Sequence, residues 1–579
     1  MSWFRFPPLH ALGKTDLQGC QGSYDVVLIS GDAYVDHPSF PAAAVARRLE
    51  ALGASVAVIA QPDWRSLDDF RVFGRPNLFF GVTAGAMDSM VSNYTSMKMP
   101  RREDRLSPGG HTGLRPKRAV QIYTQRLREA FPGIPIVLGG IEASLRRFAH
   151  YDFWEDRIRD PILMDAPASL LVYGMAESVL AGVLDWYRSE RSREKGAWPT
   201  IPQTCIRVPH GTWRERVTGN VVELPTPDEC RREPRRFMEL SVHLDTAVRP
   251  AAPILVQPHP KGDILCFPPS KADWLAEPGL LDHLRFNRLT HPLYEEPVPG
   301  LEPVQFSVVS HRGCLGACAF CALAAHQGRS IRSRSPEAIL EEIRSFPDHP
   351  MFRGTVPDVG GPSVNMYGWD CRRGGCDTGL CTHPKRCPQI TGGLQALADL
   401  LKRARELPGI KHVFLGSGLR YDLIRNDDWP AFQEIIRHHI SGQLKVAPEH
   451  VDRDVLRLMR KGADADFAGF VRRFSDASSQ AGLRLYLVPY FMTAFPGSAG
   501  KDRSIAEFVR LHRLAHEQIQ EFTPTPATIG TAMYATGIDP EGRPVAVTRG
   551  ALDRSTGRRA IQSDATRKPP AGRGDDRKR

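Results

Sequence analysis

"HRGCLGACAFCALAAHQGR", residues 311–329, places three cysteines within eight positions, with glycine and alanine between them. The cysteines are Cys314, Cys318 and Cys321, in the spacing Cys-x3-Cys-x2-Cys. Three thiolates this close in the chain reach a common centre only if the loop wraps around it, and the small residues Gly313 and Gly316 allow the backbone to do so. The spacing therefore predicts a metal-ligating loop.

Two kinds of metal centre are compatible with three clustered thiols. A structural zinc takes a fourth protein ligand and usually paired Cys-x2-Cys knuckles, which this stretch lacks. A cubane iron–sulfur cluster has four irons, so three cysteines leave one iron without a protein ligand. Because an open iron can bind a substrate or cofactor, the spacing favours a catalytic cluster.

Length and composition set the class of protein. The chain has 579 residues, more than one ordinary domain, and 41% hydrophobic residues, which is enough for packed cores. The sequence shows neither a signal-peptide pattern nor an uncharged apolar run of membrane-spanning length, so we expect a cytoplasmic protein without a membrane partner. In a reducing compartment, the clustered members of its eleven cysteines are expected to be metal ligands or catalytic groups rather than disulfides.

The net charge of +11 is concentrated at the C-terminal end. Residues 554–579 contain nine Lys or Arg and three Asp, so this segment carries six of the eleven positive charges. Its composition lacks apolar periodicity, and we therefore predict that residues 546–579 form a basic, disordered tail. A basic tail can contact a nucleic acid electrostatically, but nothing else in the sequence supports such a partner.

The first half of the chain alternates strand and helix patterns. "YDVVLISGDAYVD" (24–36) and "ASVAVIAQ" (54–61) predict buried strands, and "FPAAAVARRLEALG" (40–53) between them predicts an amphipathic helix. Because repeated βαβ units favour a parallel sheet, we predict a doubly wound sheet over residues 20–190, followed by a less regular segment to about 295. Such sheets bind ligands at the carboxyl ends of their strands, where Gly139 and Gly140 lie; without a GxGxxG fingerprint, a tight turn is the simpler interpretation of this pair.

The second half restarts the alternation. Strand patterns occur at 304–310, 354–360, 411–418, 443–449 and 483–492, and helical patterns lie between them. About six β/α units in series predict a partial (β/α)6 barrel, whose chemistry is expected on the loops that follow the strands. The cysteine loop follows the first of these strands.

These residues resemble a known family. A Cys-x3-Cys-x2-Cys loop with an aromatic residue before the last cysteine, here Phe320, resembles the radical S-adenosylmethionine (SAM) superfamily. Longer stretches resemble its YgiQ-like family, among them "GGIEASLRRFAHYDFWEDRIR" (139–159), "YLVPYFMTAFPG" (486–497) and "PTPATIGTAMYATGIDP" (524–540). The matching stretches sample the chain to about residue 540.

The resemblance implies a cofactor set and its ligands. Cys314, Cys318 and Cys321 would ligate a 4Fe–4S cluster, and SAM would chelate the open iron. "DVGGP" (358–362) resembles the superfamily's Gly-Gly-Glu stretch, so Gly360 and Gly361 are implied to meet SAM through their backbone, with Pro362 in place of the acidic residue. The family further implies radical chemistry on a substrate that the sequence does not identify, and an electron donor such as flavodoxin or ferredoxin.

The resemblance also implies a domain order. Residues 1–295 would form an N-terminal α/β domain like the cobalamin-binding module of some radical SAM proteins, residues 296–545 the radical SAM core, and residues 546–579 the tail. The module's Asp-x-His-x-x-Gly motif is broken here, because Asp36 and His37 are adjacent and Pro38 follows. We therefore expect a related fold that binds no cobalamin through His37.

A second cysteine set follows the first. "CRRGGCDTGLCTHPKRC" (371–387) contains Cys371, Cys376, Cys381 and Cys387. Four thiols suit a closed zinc site or a second iron–sulfur cluster, although the spacings match no common zinc knuckle. Both possibilities stay open, together with a thiol-rich loop that holds no metal.

A second function class competes with the enzyme. A zinc-dependent, RNA-associated binding module would also use clustered cysteines and a basic tail. Anaerobically purified protein that is brown and bleaches on reduction would favour the enzyme, whereas colourless protein with stoichiometric zinc would favour the binding module.

Overall fold

The computed structural model describes residues 6–11, 13–15, 23–250, 252–272, 277–374, 376, 379–462, 464–515 and 518–566. The strands of the first half are β1 (Leu9–Ala11), β2 (Lys14–Thr15), β3 (Val26–Ser30), β4 (Val56–Ala60), β5 (Phe79–Thr83), β6 (Ile136–Leu138), β7 (His150–Asp152), β8 (Arg157–Arg159), β9 (Leu170–Val172), β10 (Thr204–Val208), β11 (Val221–Glu223), β12 (Ile254–Gln257) and β13 (Asp263–Cys266). Its α-helices span Pro41–Ala51, Asp68–Arg71, Ser89–Asn93, Ala119–Ala130, Gly140–Leu145, Ile162–Asp165, Leu180–Arg188, Pro227–Arg232 and Pro234–Thr246.

The first half has an α/β fold built on one large sheet. The sheet order is β11-β12-β13-β10-β9-β6-β5-β3-β4-β1-β2. Its centre, from β4 through β3, β5 and β6 to β9, is parallel, as the βαβ patterns predict. Because the chain proceeds from β3 to β4 on one side and later to β5 on the other, the strand order reverses between β3 and β5, which is where doubly wound sheets form ligand crevices.

The sheet extends beyond the predicted parallel strands, through β10 to β13. β10 pairs antiparallel with both β9 and β13, and β12 pairs antiparallel with β13. Residues 204–266, interpreted as an irregular segment, therefore supply four strands of the sheet. β10, β12 and β13 pair antiparallel and need no crossover helix, so strand–helix alternation marks only β11 and β12, which pair parallel with helices 227–232 and 234–246 between them.

The second half contains shorter strands and longer helices. The strands are β14 (Val308–Val309), β15 (His311–Arg312), β16 (Arg332–Ser333), β17 (Thr355–Val356), β18 (Val359–Gly360), β19 (Asp370–Cys371), β20 (Ile390–Thr391), β21 (His412–Val413), β22 (Gln443–Glu449), β23 (Tyr486–Thr493) and β24 (Ile519–Glu521). The α-helices span Ala322–Gln327, Pro336–Arg344, Gln395–Arg405, Trp429–His438, Arg453–Leu458, Phe467–Gln480, Arg503–His512, Ile529–Thr536 and Ala551–Thr566.

Parallel pairings connect successive strands of this half. β14 pairs with β18, β17 with β21, β22 with β23, and β23 with β24. A further parallel bridge joins Leu419 to Val446. Helix 336–344 begins as its sequence predicts, since the Ser335 hydroxyl accepts a hydrogen bond from the Ala338 amide at 3.2 Å and Pro336 occupies the first turn.

The last described helix corrects the prediction of a disordered tail from residue 546. Residues 551–566 form a helix that packs against helix 503–512. Ile561 is fully buried, and the buried Arg554 guanidinium donates to the Phe522 carbonyl. The charged sequence of this segment shows no helical spacing of apolar residues. A few buried side chains are nevertheless enough to dock a helix onto an existing core. Residues 567–579 lie outside the described residues.

The two halves share an apolar core. Helix 529–536 packs against helix 234–246 of the first half. Its Ile529, Met533 and Tyr534 belong to the same buried cluster as the sheet residues of the first half. No helix among the described residues is long and apolar enough to cross a membrane.

Candidate metal and cofactor site

The cysteine loop is anchored at both ends. The Ser310 amide donates to the Gly360 carbonyl at 2.8 Å, which continues the β14–β18 pairing up to the start of the loop. β15 then pairs antiparallel with β16, and the Cys314 amide donates to the Gly328 carbonyl at 3.2 Å. The loop is thus held at the carboxyl end of a parallel strand, as expected for a catalytic loop in this class of fold.

Two of the three thiols crowd one glycine of this loop. A Cβ at Gly316 would stand 3.1 Å from Cys314 Sγ and 3.6 Å from Cys318 Sγ, so a larger residue would crowd the two sulfurs. Burial, with the neighbouring Cys318 and Cys314 thiols, raises the pKa of Cys321 to about 12, and burial with Cys318 also raises the pKa of Cys314. Thiols held in this way are neutral without a metal, and a bound cation would stabilise their thiolates.

A buried ion pair stands beside the thiols, and the sequence analysis did not single it out. Arg420 Nη1 lies 3.6 Å from Cys318 Sγ, and Arg420 Nε donates to Asp422 Oδ1 at 3.1 Å. The two side chains are 5% and 3% exposed. Burial opposes ionisation of Asp422, but the guanidinium lowers the pKa of its carboxyl group below the ordinary value. Hydrogen bonds to cluster sulfurs tune an iron–sulfur centre, so Arg420 is placed to act on one through Cys318.

Gly360 and Gly361 lie beside the strand that leads into the loop. A Cβ at Gly360 would collide with Ser417 and Asp358, and a Cβ at Gly361 would collide with the imidazole of His311. Close packing therefore accounts for glycine at both positions, and contact with SAM remains a prediction. His311 is fully buried, its Nε2 has no hydrogen-bond partner among the described residues, and burial lowers its pKa to about 4.

The polar residues at and after β22 fall into two groups. Glu449, in the left-handed region with φ 66°, lies 3.8 Å from the nearly buried Lys461, the cation that also acts on Cys314. By contrast, His450 is paired with Asp502 at 3.3 Å, and the Lys445 ammonium donates to the Gly416 carbonyl. Glu449 and Lys461 are therefore the better placed groups for a ligand near the cysteines.

The second cysteine set is gathered next to the first. Cys371 lies in β19, opposite Ile390 of β20, and the Cys387 amide donates to the Cys381 carbonyl at 2.8 Å. Cys381 and Cys387 pack on the same apolar cluster as Cys314. Burial raises the pKa of Cys381 to about 11, with further contributions from the other three thiols of the set.

The described side chains, as they stand, include no group of three or more His, Cys, Asp or Glu arranged to hold a metal ion. The fold brings each cysteine set into one loop, and the convergence of its thiols on a metal stays a prediction.

His37 is engaged within the first half. It is fully buried, its Nδ1 accepts from the Ser39 amide at 3.1 Å, and its Nε2 lies 3.0 Å from Arg288 Nη1. Asp36 is paired with Arg47 at 2.6 Å rather than with His37. Both ring nitrogens of His37 are thus engaged within the first half, and the absence of cobalamin binding through His37 stays a prediction.

Comparison with known proteins identifies the family of the chain. The profile of the radical SAM N-terminal family matches residues 13–307. A UPF0313 protein of Methanosarcina acetivorans is 43% identical over 543 residues, covering 89% of this chain and 73% of that protein. One of Geobacter sulfurreducens is 44% identical over 535 residues, covering 91% and 87%.

A solved structure shares the fold. The radical SAM methyltransferase TsrM from Kitasatospora setae, solved with cobalamin and a [4Fe-4S] cluster bound, aligns with a TM-score of 0.53 at 12% identity, covering 94% of this chain and 89% of that one. With 43% identity over most of its length to UPF0313 proteins and a radical SAM N-terminal match over its first half, the chain belongs to the UPF0313 family of radical SAM proteins.

Proposed function

We propose that this protein is a radical SAM enzyme whose 4Fe–4S cluster is held by Cys314, Cys318 and Cys321. The observation that carries the proposal is a loop of three neighbouring thiols at the carboxyl end of β14, with a buried guanidinium 3.6 Å from the middle thiol. When bound, the cluster and SAM supply reductive cleavage of SAM to methionine and a 5′-deoxyadenosyl radical.

The protein's own residues have three tasks in this proposal. The thiols bind the cluster, and Arg420 orients and stabilises the Cys318 sulfur. Gly360 and Gly361 let the chain pass close to the start of the cysteine loop, and their backbone is the proposed contact for SAM. Glu449 and Lys461, 3.8 Å apart, are the proposed contacts for a polar substrate, since the Lys461 charge acts on Cys314.

The proposed scaffold is a partial (β/α)6 barrel. Its strands would be the parallel-paired segments 308–309, 355–360, 412–419, 443–449, 486–493 and 519–521. An electron donor such as flavodoxin or ferredoxin is the proposed partner, and the substrate class is left open because fold alone does not determine it.

The test uses the full chain purified and reconstituted without oxygen. We expect about four irons per chain at the triad, a brown colour that bleaches on reduction, and reductant-dependent release of 5′-deoxyadenosine from SAM. Colourless protein with stoichiometric zinc and no 5′-deoxyadenosine would contradict the proposal and favour a zinc-dependent, RNA-associated binding module.

A further inference from the structure

A cavity of about 150 Å³ lies beside the first sheet, away from the cysteine thiols. Its floor is formed by β3, β5 and β6, and helices 41–51 and 180–188 contribute Ala42, Val45 and Leu180 to its walls. This is the place where the strand order reverses, the usual position of a ligand in a doubly wound sheet.

The lining is mostly aliphatic. Leu28, Ile29, Val82, Val137 and Leu138 come from the strands. A cavity of this volume has room for a benzene-sized ring. Ligand pockets of this kind combine apolar walls with a few polar groups that fix the orientation of the ligand.

One oxygen atom of the lining, on Glu177, has no hydrogen-bond partner within the described part of the chain. Glu177 is 3% exposed, and its Oε1 lies 2.9 Å from Arg312 Nη1. Its other oxygen, Oε2, is buried and has no hydrogen-bond partner among the described residues. An unpaired buried carboxylate oxygen costs free energy, and a hydrogen-bond donor on a ligand would remove that cost.

The cavity connects the first sheet to the cysteine loop. Arg312 precedes the first cysteine by two residues, and His326 lies in the helix that follows the third; both line the cavity. The His326 Nδ1 is 3.1 Å from Ser144 Oγ of the first half. At Gly174 a Cβ would stand only 3.0 Å from the His326 carbonyl oxygen, so the two halves approach closely here.

We propose that this cavity binds a flat aromatic ring, of benzene to indole size, that carries one N–H donor for the free oxygen of Glu177. The ring is the anchoring part of a substrate or cofactor whose remainder extends toward the cysteine loop. Apolar walls exclude charged ligands, and the single acceptor selects rings with a donor over rings without one. The inference goes beyond the proposed radical chemistry and needs no iron, so the two can fail separately.

The test compares two probes on the full chain. Indole has an N–H group, and benzofuran has the same shape with an oxygen in its place. Ligand-observed NMR titration is expected to show saturable binding of indole, with benzofuran about tenfold weaker, as one hydrogen bond to a charged acceptor implies.

Two variants locate the binding. Ala42→Phe fills the cavity and should weaken indole at least tenfold, whereas Ala51→Phe, at an exposed position of the same helix, should not change it. In Glu177→Gln we expect the amide oxygen to accept the hydrogen bond from Arg312, which leaves the NH2 group toward the cavity. Because an NH2 group cannot accept from the N–H of indole, the preference for indole over benzofuran should disappear.

Circular dichroism and the Tm of each variant check the fold, and Glu177→Gln keeps the test valid if Ala42→Phe does not fold. The proposal is overturned if indole does not bind saturably, if both probes bind equally to the wild type, or if folded Ala42→Phe binds indole like the wild type.

Discussion

Outside the second cysteine set, the described cysteines have two kinds of surroundings. Cys205, Cys230 and Cys266 are buried within the first half, whereas Cys314 and its two neighbours share one loop. A cubane cluster held at three corners cannot lose one thiolate and keep its open iron in place. We therefore expect Cys318→Ala to lose the cluster and SAM cleavage, measured as iron content and 5′-deoxyadenosine release.

The matched control is Cys230→Ala, which removes a buried thiol far along the chain from the loop. It should keep full iron content, and both variants should retain the far-ultraviolet circular dichroism of the wild type. A Cys318→Ala protein with full iron content and SAM cleavage would show that the thiol is not a ligand.

His311 gives the protein a predictable response to acid. Burial lowers its pKa to about 4 in the folded protein, below its ordinary value of about 6.5. The unfolded chain therefore takes up a proton that the folded chain does not, and stability falls as the pH drops through this window. Between pH 7 and pH 5 this amounts to about 2 kcal/mol.

Urea denaturation at both pH values measures this effect. From pH 7 to pH 5, the free energy of unfolding of the wild type should fall by about 2 kcal/mol more than that of His311→Gln. His412→Gln, at an exposed position, serves as the control. An unchanged difference would mean that His311 titrates alike in both states.

At the scale of elements, the loop after β19 carries the second cysteine set. Its four thiols lie in one neighbourhood, with Cys381 and Cys387 against the same apolar cluster as Cys314. We expect purified protein to contain metal beyond the cluster at the triad, and Cys371→Ala to lose this extra metal while keeping SAM cleavage. Zinc and iron quantification by mass spectrometry distinguishes the two metals.

Cys205→Ala is the control for that measurement, since Cys205 is buried in the first sheet. Identical metal content in Cys371→Ala and the wild type would mean that the loop holds no metal through Cys371.

The C-terminal helix defines how far the chain can be shortened. Arg554 and Ile561 are buried, and Arg558 pairs with the nearly buried Glu521 at 3.1 Å. A chain ending at Thr566 should keep the Tm of the full chain, because no described contact is removed. A chain ending at Gly550 should lose several kcal/mol of stability, as expected for removal of a buried isoleucine and two guanidinium contacts.

Differential scanning calorimetry of the two truncated chains makes this comparison. Equal Tm values would show that helix 551–566 contributes nothing to the core. A low Tm for the longer truncated chain would show that residues 567–579 are needed.

At the scale of the whole molecule, one carboxylate joins the two halves. Asp245, in helix 234–246, pairs with Arg329 of the cysteine loop and, at 2.6 Å, with Arg460. All three side chains are at most 14% exposed. Replacing Asp245 by alanine leaves two nearly buried guanidinium groups without their partner, a change that costs about 3–5 kcal/mol.

We expect Asp245→Ala to lower the Tm and to expose the junction of the halves to limited proteolysis, relative to Asp185→Ala at an exposed position. Equal proteolysis of the two variants would show that the halves are held together by the shared apolar core alone.

Local sequence patterns predicted the helices and strands whose apolar residues are regularly spaced. The predicted strands at 24–36 and 54–61 and the helix between them correspond to β3, β4 and helix 41–51, and each predicted strand of the second half overlaps an observed strand. Apolar spacing acts within one element, so a local pattern is enough to find it. The extension of the sheet by β10 to β13 and the helix at 551–566 were missed. The pairing of β10 with β9 and β13, and the docking of helix 551–566 on helix 503–512, use partners distant in sequence, which no local pattern contains.

The sequence by itself singled out Cys314, Cys318 and Cys321 as candidate metal ligands, because three cysteines within eight positions favour a shared metal centre. Their ligation of a 4Fe–4S cluster, which the family resemblance implies, stays a prediction. Only the tertiary structure decided which distant residues meet: Arg420 beside Cys318, His311 against Gly361, and Glu177, with one buried oxygen unpartnered within the described ranges, in the lining of the cavity. Charge pairing, burial and cavity shape arise from residues that are distant in sequence, such as Arg420 and Cys318 at 102 positions apart, so they exist only once the chain has folded.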